Sequence, residues 1–167
     1  NFRYRTQMVV RILLVVYIGL TVLSIVSLKL AGMRWFDAVN HAMSACATGG
    51  FSTKSASIGF YDSPLIEWIL IIVMFLSSLH FGLIYSTFTR KSNNIFRSEV
   101  VRTYFVIILL ASLAIGASLY FSGTYTDIKT SMQDSTFQVV SLISTTGFAT
   151  TDTNFWTPFA IIVLIIV

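Results

Sequence analysis

Residues 8–28, 65–88 and 102–121 are three almost uninterrupted apolar runs. A helix of ~20 residues rising about 1.5 Å per residue crosses a ~30 Å hydrocarbon layer, so each run is long enough to span a bilayer. A soluble domain carries roughly 25% charged residues; here only 11% are charged and 55% are apolar, too few charges to cover a solvated surface. The basic residues behind the net charge of +4 are spread between the apolar runs rather than clustered, so no nucleic-acid partner is expected. A lone cysteine, Cys46, excludes an intramolecular disulfide framework and a Cys-based zinc site. The partner these features imply is the lipid bilayer, and the expected class is an all-α integral membrane protein. A fourth run, 158–167, opens after Thr157 and is about half a span, so it is expected to continue into a longer chain.

Charge orients the runs. Arg3, Arg5, Arg11, Arg90, Lys91, Arg97 and Arg102 fall on one side with a single acid, Glu99. Lys29, Arg34, Lys54 and Lys129 fall on the other with Asp37, Asp62, Glu67, Asp127, Asp134 and Asp152. Cytoplasmic loops carry the Lys/Arg excess, so the N-terminal segment and the loop near 89–102 are expected in the cytoplasm. The connections near 29–63 and 122–157 then face outward.

Each outer connection holds a short, weakly polar segment, 35–47 or 132–144, long enough as a helix to reach about halfway into the membrane. Each lies near an acid that suits a helix N-terminus, Asp37 or Asp134. Each runs into a Thr/Gly stretch, Thr48-Gly-Gly-Phe-Ser-Thr53 or Thr145-Thr-Gly-Phe-Ala-Thr150. The two halves are copies. A constant offset of 97 relates Arg5 to Arg102, Leu13 to Leu110, Gly19 to Gly116, Asp37 to Asp134, Ser44 to Ser141, Thr48 to Thr145, Gly50 to Gly147, Phe51 to Phe148 and Thr53 to Thr150. The offset falls to 94 between Pro64 and Pro158, a three-residue deletion after the loop. Both copies start on the same side, so the repeats are parallel, and repeat interfaces are where such proteins keep their sites. The expected division is a first repeat over 1–92, with spans 8–28 and 65–88, pore helix 35–47 and filter 48–53. A second, truncated repeat covers 93–167, with span 102–121, pore helix 132–144, filter 145–150 and the start of a last span at 158–167.

This unit suits a cation. A half-helix entering from outside aims the negative end of its dipole at the membrane centre. The extended loop after it has carbonyls free to replace a hydration shell, and non-helical backbone at that depth is tolerated where it lines a wet cavity. Gly50 and Gly147 allow the positive φ such a loop needs; Thr48 and Thr145 add hydroxyl oxygens, and Phe51 and Phe148 are expected to pack outward as a cuff. No complete span has an acid at its middle, which favours a monovalent ion held by neutral oxygens over Ca²⁺ or Mg²⁺. Paired carboxylates and zinc-binding spacing are missing from the spans, so an enzyme is not expected. A secondary transporter with re-entrant loops, coupled to Na⁺ or H⁺, is the alternative.

The paired Thr-x-Gly-Phe loops, with the run from Ala42 through Gly-Gly-Phe-Ser-Thr53 and Ser57-Ile-Gly59 to Asp62-Ser-Pro64, resemble the Trk/Ktr/HKT potassium transporters, closest to their bacterial TrkH/TrkG branch. The resemblance covers essentially the whole chain. It implies potassium uptake across the bacterial cytoplasmic (inner) membrane by a multi-pass subunit of four repeats, of which this chain would be the second and an unfinished third. It implies K⁺ as the transported ion, with no organic cofactor, held by backbone carbonyls of Thr48, Gly49, Gly50, Thr145, Thr146 and Gly147, with Phe51 and Phe148 beside them. It also implies a homodimer and a cytosolic nucleotide-binding regulatory subunit.

Other residues read as structural. His80 suits helix packing or a hydrogen bond better than an ion site, and His41 suits packing against a neighbouring repeat. Cys46 reads as a small packing residue, and Gly19 and Gly116 as points of close helix contact. Lys54 either opposes cations in the outer field or pairs with a nearby acid.

Overall fold

The computed structural model describes residues 2–79, 81, 83–84 and 98–167, with side chains from residue 7 onward. Among them the chain is all helical, with no strand. The α-helices whose bounds lie among the described residues are α1 (Phe2–Leu30), α2 (Trp35–Cys46), α3 (Pro64–Ser77), α4 (Glu99–Phe121), α5 (Ile128–Ile143) and α6 (Pro158–Ile166), with short 3-10 turns at Ser57–Tyr61 and Thr153–Phe155. Two of them are long and apolar enough to cross a membrane: α1 over Gln7–Leu30, and α4. Their outward residues remain bare and apolar, among them Leu14, Ile18 and Leu23 on α1 and Phe105, Leu110 and Leu113 on α4. In water such faces would be a liability; in lipid, or against further helices, they are at rest.

The expected span over 65–88 is not one unbroken helix. Pro64 occupies the first turn of α3, where its missing N–H is no loss. The helix stops at Ser77 because two serines turn back on it: Ser77 Oγ donates to the Val73 carbonyl at 2.7 Å and Ser78 Oγ to the Phe75 carbonyl at 2.7 Å. Side-chain bonds of this kind compete with the backbone ladder. His80 and residues 85–97 lie outside the described residues, and with them Arg90, Lys91 and Arg97.

The short helices are the centre of the molecule. Within each repeat the re-entrant helix lies on the first span, α2 on α1 and α5 on α4, while α3 of the first repeat packs on α5 of the second. In α2 the small residues Ala38, Ala42 and Ala45 are fully buried, which lets its neighbours approach closely. Gly116 does the same for α4. Its carbonyl accepts from Ser131 Oγ at 2.8 Å, and a Cβ there would meet Met132 Sδ at 2.6 Å. Gly19, its counterpart on α1, has open space beside it among the described residues, so the close helix contact is seen here at Gly116.

Asp134 is not at a helix start. Helix α5 begins a turn and more earlier than 132, at Ile128, because Asp127 caps it by accepting from the Lys129 N–H. Asp134 is buried within the helix.

Candidate functional site

Both re-entrant helices end in the same way. The Gly49 N–H donates to the Ser44 carbonyl and the Thr48 N–H to the Ala45 carbonyl; in the second repeat the Thr146 N–H donates to Ser141 and the Thr145 N–H to Leu142. These bond pairs close a helix C-terminus when the next residue turns left-handed, a place usually taken by glycine. Here it is threonine both times, Thr48 at φ 50° and Thr145 at φ 58°. A β-branched residue in that region is strained, and the strain recurs at equivalent positions. Two residues on, Gly50 and Gly147 also have positive φ, 66° and 85°.

The loops meet. A Cβ on Gly50 would fall 2.1 Å from the Thr146 carbonyl oxygen and 3.2 Å from the Gly147 carbonyl carbon, so the first loop lies directly against the second. Thr48, Gly49, Gly50, Thr145, Thr146 and Gly147 are therefore brought together at the point where α2 and α5 both end. Helix C-termini carry roughly half a negative charge, and two of them converge here.

The chain braces each loop from its own helix. Thr53 Oγ1 donates to Asp37 Oδ1 at 2.6 Å and Thr150 Oγ1 to Asp134 Oδ1 at 2.8 Å. The second oxygen of each buried carboxylate also faces a partner: Lys54 Nζ forms an ion pair with Asp37 Oδ2 at 3.7 Å, and the Tyr125 hydroxyl donates to Asp134 Oδ2 at 2.7 Å. Lys54 is thus paired with an acid, and its ammonium also lies 4.8 Å from the Phe60 ring centre. Burial and the bond to Asp134 push the Tyr125 phenol up to about 12. Ser44 Oγ accepts from the Phe51 N–H at 2.7 Å, whereas Ser141 Oγ donates to the Phe148 carbonyl at 2.6 Å, so the loops diverge beyond their glycines.

The phenylalanines differ too. Phe148 is 1% exposed and Phe51 80%, so the expected cuff is packed around the second loop only. What covers Phe148 is His41 of the first repeat, with ring centres 5.8 Å apart. His41 is fully buried, with Nδ1 2.7 Å from the Asp37 carbonyl and Nε2 2.8 Å from Ser52 Oγ. It packs against the neighbouring repeat while tied to its own loop. Cys46 is buried 3.8 Å from Ser24 Oγ, a packing contact.

Two features of the site are not legible in the sequence alone. The Asp–Thr braces were visible as four offset-related residues whose sixteen-residue spacing repeats, but nothing in the pattern paired them. The turn at Ser57, Ile58 and Gly59 is only a motif in the sequence; the Ile58 and Gly59 N–H groups donate to the Ala149 carbonyl of the other repeat.

The chain is similar to known proteins in sequence and in fold. The sequence profile of TrkH, a cation transport protein, matches residues 3–167. The chain is 34% identical over 166 residues to the Trk system potassium uptake protein TrkH of Salmonella typhimurium, covering 99% of this chain and 34% of that protein. It is 32% identical to the Trk system potassium uptake protein TrkG of Escherichia coli, over 93% of this chain and 32% of that one. The crystal structure of the potassium transporter TrkH from Vibrio parahaemolyticus superposes with a TM-score of 0.91 at 31% identity, covering 97% of this chain and 35% of that chain. The chain thus spans about a third of the length of the curated relatives it matches. With the profile running almost from end to end and a solved member superposing over nearly the whole chain, the chain belongs to the TrkH family of cation transport proteins.

Proposed function

We propose that this chain supplies two of the pore loops of a potassium uptake pathway in a bacterial cytoplasmic membrane. The carbonyls of Thr48, Gly49, Gly50, Thr145, Thr146 and Gly147 replace the water of a dehydrated K⁺, and the C-termini of α2 and α5 favour its charge. The observation that carries this reading is the contact of the two loops at Gly50 and Thr146, each with the same strained threonine and the same left-handed glycine. The fates of the charged groups agree with it: the acids nearest the loops are consumed in braces, which leaves neutral oxygens as the available ligands. The names of the relatives, potassium uptake proteins, support the choice of ion.

The proposal includes a cytoplasmic N-terminal end for α1, further repeats of the same subunit completing the ring, a homodimer and a cytosolic nucleotide-binding regulatory subunit. The test is ion flux through the full-length protein in liposomes, with K⁺, Rb⁺ and Na⁺ supplied separately. Gly50→Ser and Gly147→Ser are expected to lower the preference for K⁺ over Na⁺ by crowding the carbonyls. Unchanged permeability ratios in both variants would overturn the assignment of these loops. Uptake that requires a proton or sodium gradient would favour a coupled transporter.

A further inference from the structure

The residues after the second glycine are held by the other repeat. The Ala149 carbonyl accepts from the Ile58 N–H at 3.0 Å and the Gly59 N–H at 3.2 Å, and the Ala149 N–H donates to Ser57 Oγ at 3.2 Å. Both polar backbone groups of Ala149, two residues beyond Gly147, are thus taken by a turn of the first repeat. The fit leaves no room for a side chain: a Cβ on Gly59 would fall 2.2 Å from the Thr150 carbonyl oxygen. The turn is itself firmly set. Ile58 is fully buried, the Ser57 N–H donates to the Lys54 carbonyl at 3.1 Å, and Ser57 is held at φ 52°. On the far side Asp134 grips Thr150, and His41 covers Phe148.

We propose that Ser57, Ile58 and Gly59 are positioning residues for ion discrimination, a backbone seat through which the first repeat sets the shape of the second repeat's loop. The proposal rests on the pore-loop reading above and extends it to residues that touch no ion. A carbonyl ring discriminates by the number and placement of its oxygens. A loop pinned at Ala149 from one repeat and at Thr150 from the other has little freedom to adjust at Gly147. Releasing the pin lets the loop relax around the smaller ion, so discrimination falls while the pathway remains.

The test uses the full-length transporter, reconstituted after the variants have been matched for amount inserted. Ser57→Gly removes one hydrogen bond and accepts the positive φ without strain; Gly59→Ala forces the turn and the Thr150 carbonyl apart. The readout is the K⁺/Na⁺ permeability ratio, which a purely structural role in assembly would not move once insertion is matched. A several-fold fall in the ratio for Ser57→Gly, and a larger one for Gly59→Ala, is the expected result. Wild-type ratios in both variants would overturn the inference. Gly147→Ser is measured in parallel: if it alters the ratio and the seat variants do not, the seat fails while the pore-loop reading stands, and if none of the three alters it, the pore-loop reading fails first.

Discussion

Thr48 and Thr145 hold a backbone conformation that threonine avoids, and the energy stored there is open to measurement. A left-handed conformation costs an L-residue roughly 1–2 kcal/mol relative to the right-handed one, and glycine escapes it. Thr48→Gly in the full-length protein is therefore expected to gain stability, about 1 kcal/mol after glycine's own entropic cost, read as a higher unfolding temperature in detergent. The same variant loses the Oγ1 hydroxyl and loop stiffness, and its K⁺/Na⁺ preference is expected to drop. A variant neither more stable nor less selective would deny the threonine a role in the loop. Gly50 answers the opposite constraint. Any side chain there strikes the Thr146 carbonyl, so Gly50→Ala is expected to lower both stability and selectivity, read in the same two assays.

Each re-entrant helix carries its own brace, and the brace on α5 is the easier to probe. Thr150→Val removes the donor to Asp134 Oδ1 and leaves a buried carboxylate oxygen without that partner, a loss of about 1–3 kcal/mol. Thermal unfolding measures it, and Thr150→Ser, which keeps a hydroxyl, is expected to recover most of the loss. Tyr125 adds a pH dependence. Its phenol is raised from an ordinary value of 10 to about 12, so the folded state favours the protonated, donating form. That contribution is fully present below pH 10 and is lost as pH rises through about 12. The stability gap between the wild type and Tyr125→Phe is therefore expected to close over that interval; a constant gap would mean that the hydroxyl is not the titrating group. The start of α5 escaped sequence reading because Ile128-Lys-Thr-Ser-Met132 is a polar opening with no apolar period. Its cap, Asp127, stands in a run of polar residues where nothing in the sequence separates a capping acid from an ordinary surface charge.

The repeat was legible because equivalence leaves a constant offset, and every equivalence the loops depend on lay in it: Asp37 with Asp134, Thr48 with Thr145, Gly50 with Gly147, Thr53 with Thr150. What holds one repeat to the other was not legible. His41 on Phe148, Gln133 on Glu67 and the Ser57–Gly59 turn on Ala149 join non-equivalent positions, and such contacts leave no period to detect. The same asymmetry explains Phe51. Phe148 is covered by the re-entrant helix of the repeat before it, so Phe51, exposed here, is expected to be covered by the corresponding helix of a preceding repeat in the full-length protein. Accessibility of a Phe51→Cys thiol to a bulky reagent checks this: protection is expected, and rapid labelling would count against a closed ring. The decisive observation is where a heavy alkali ion sits when the full-length protein is crystallised with Rb⁺. Anomalous density on an axis shared by the Gly50 and Gly147 loops, ringed by main-chain oxygens of both, is the predicted result; density bound elsewhere, with these loops turned to lipid, would contradict it.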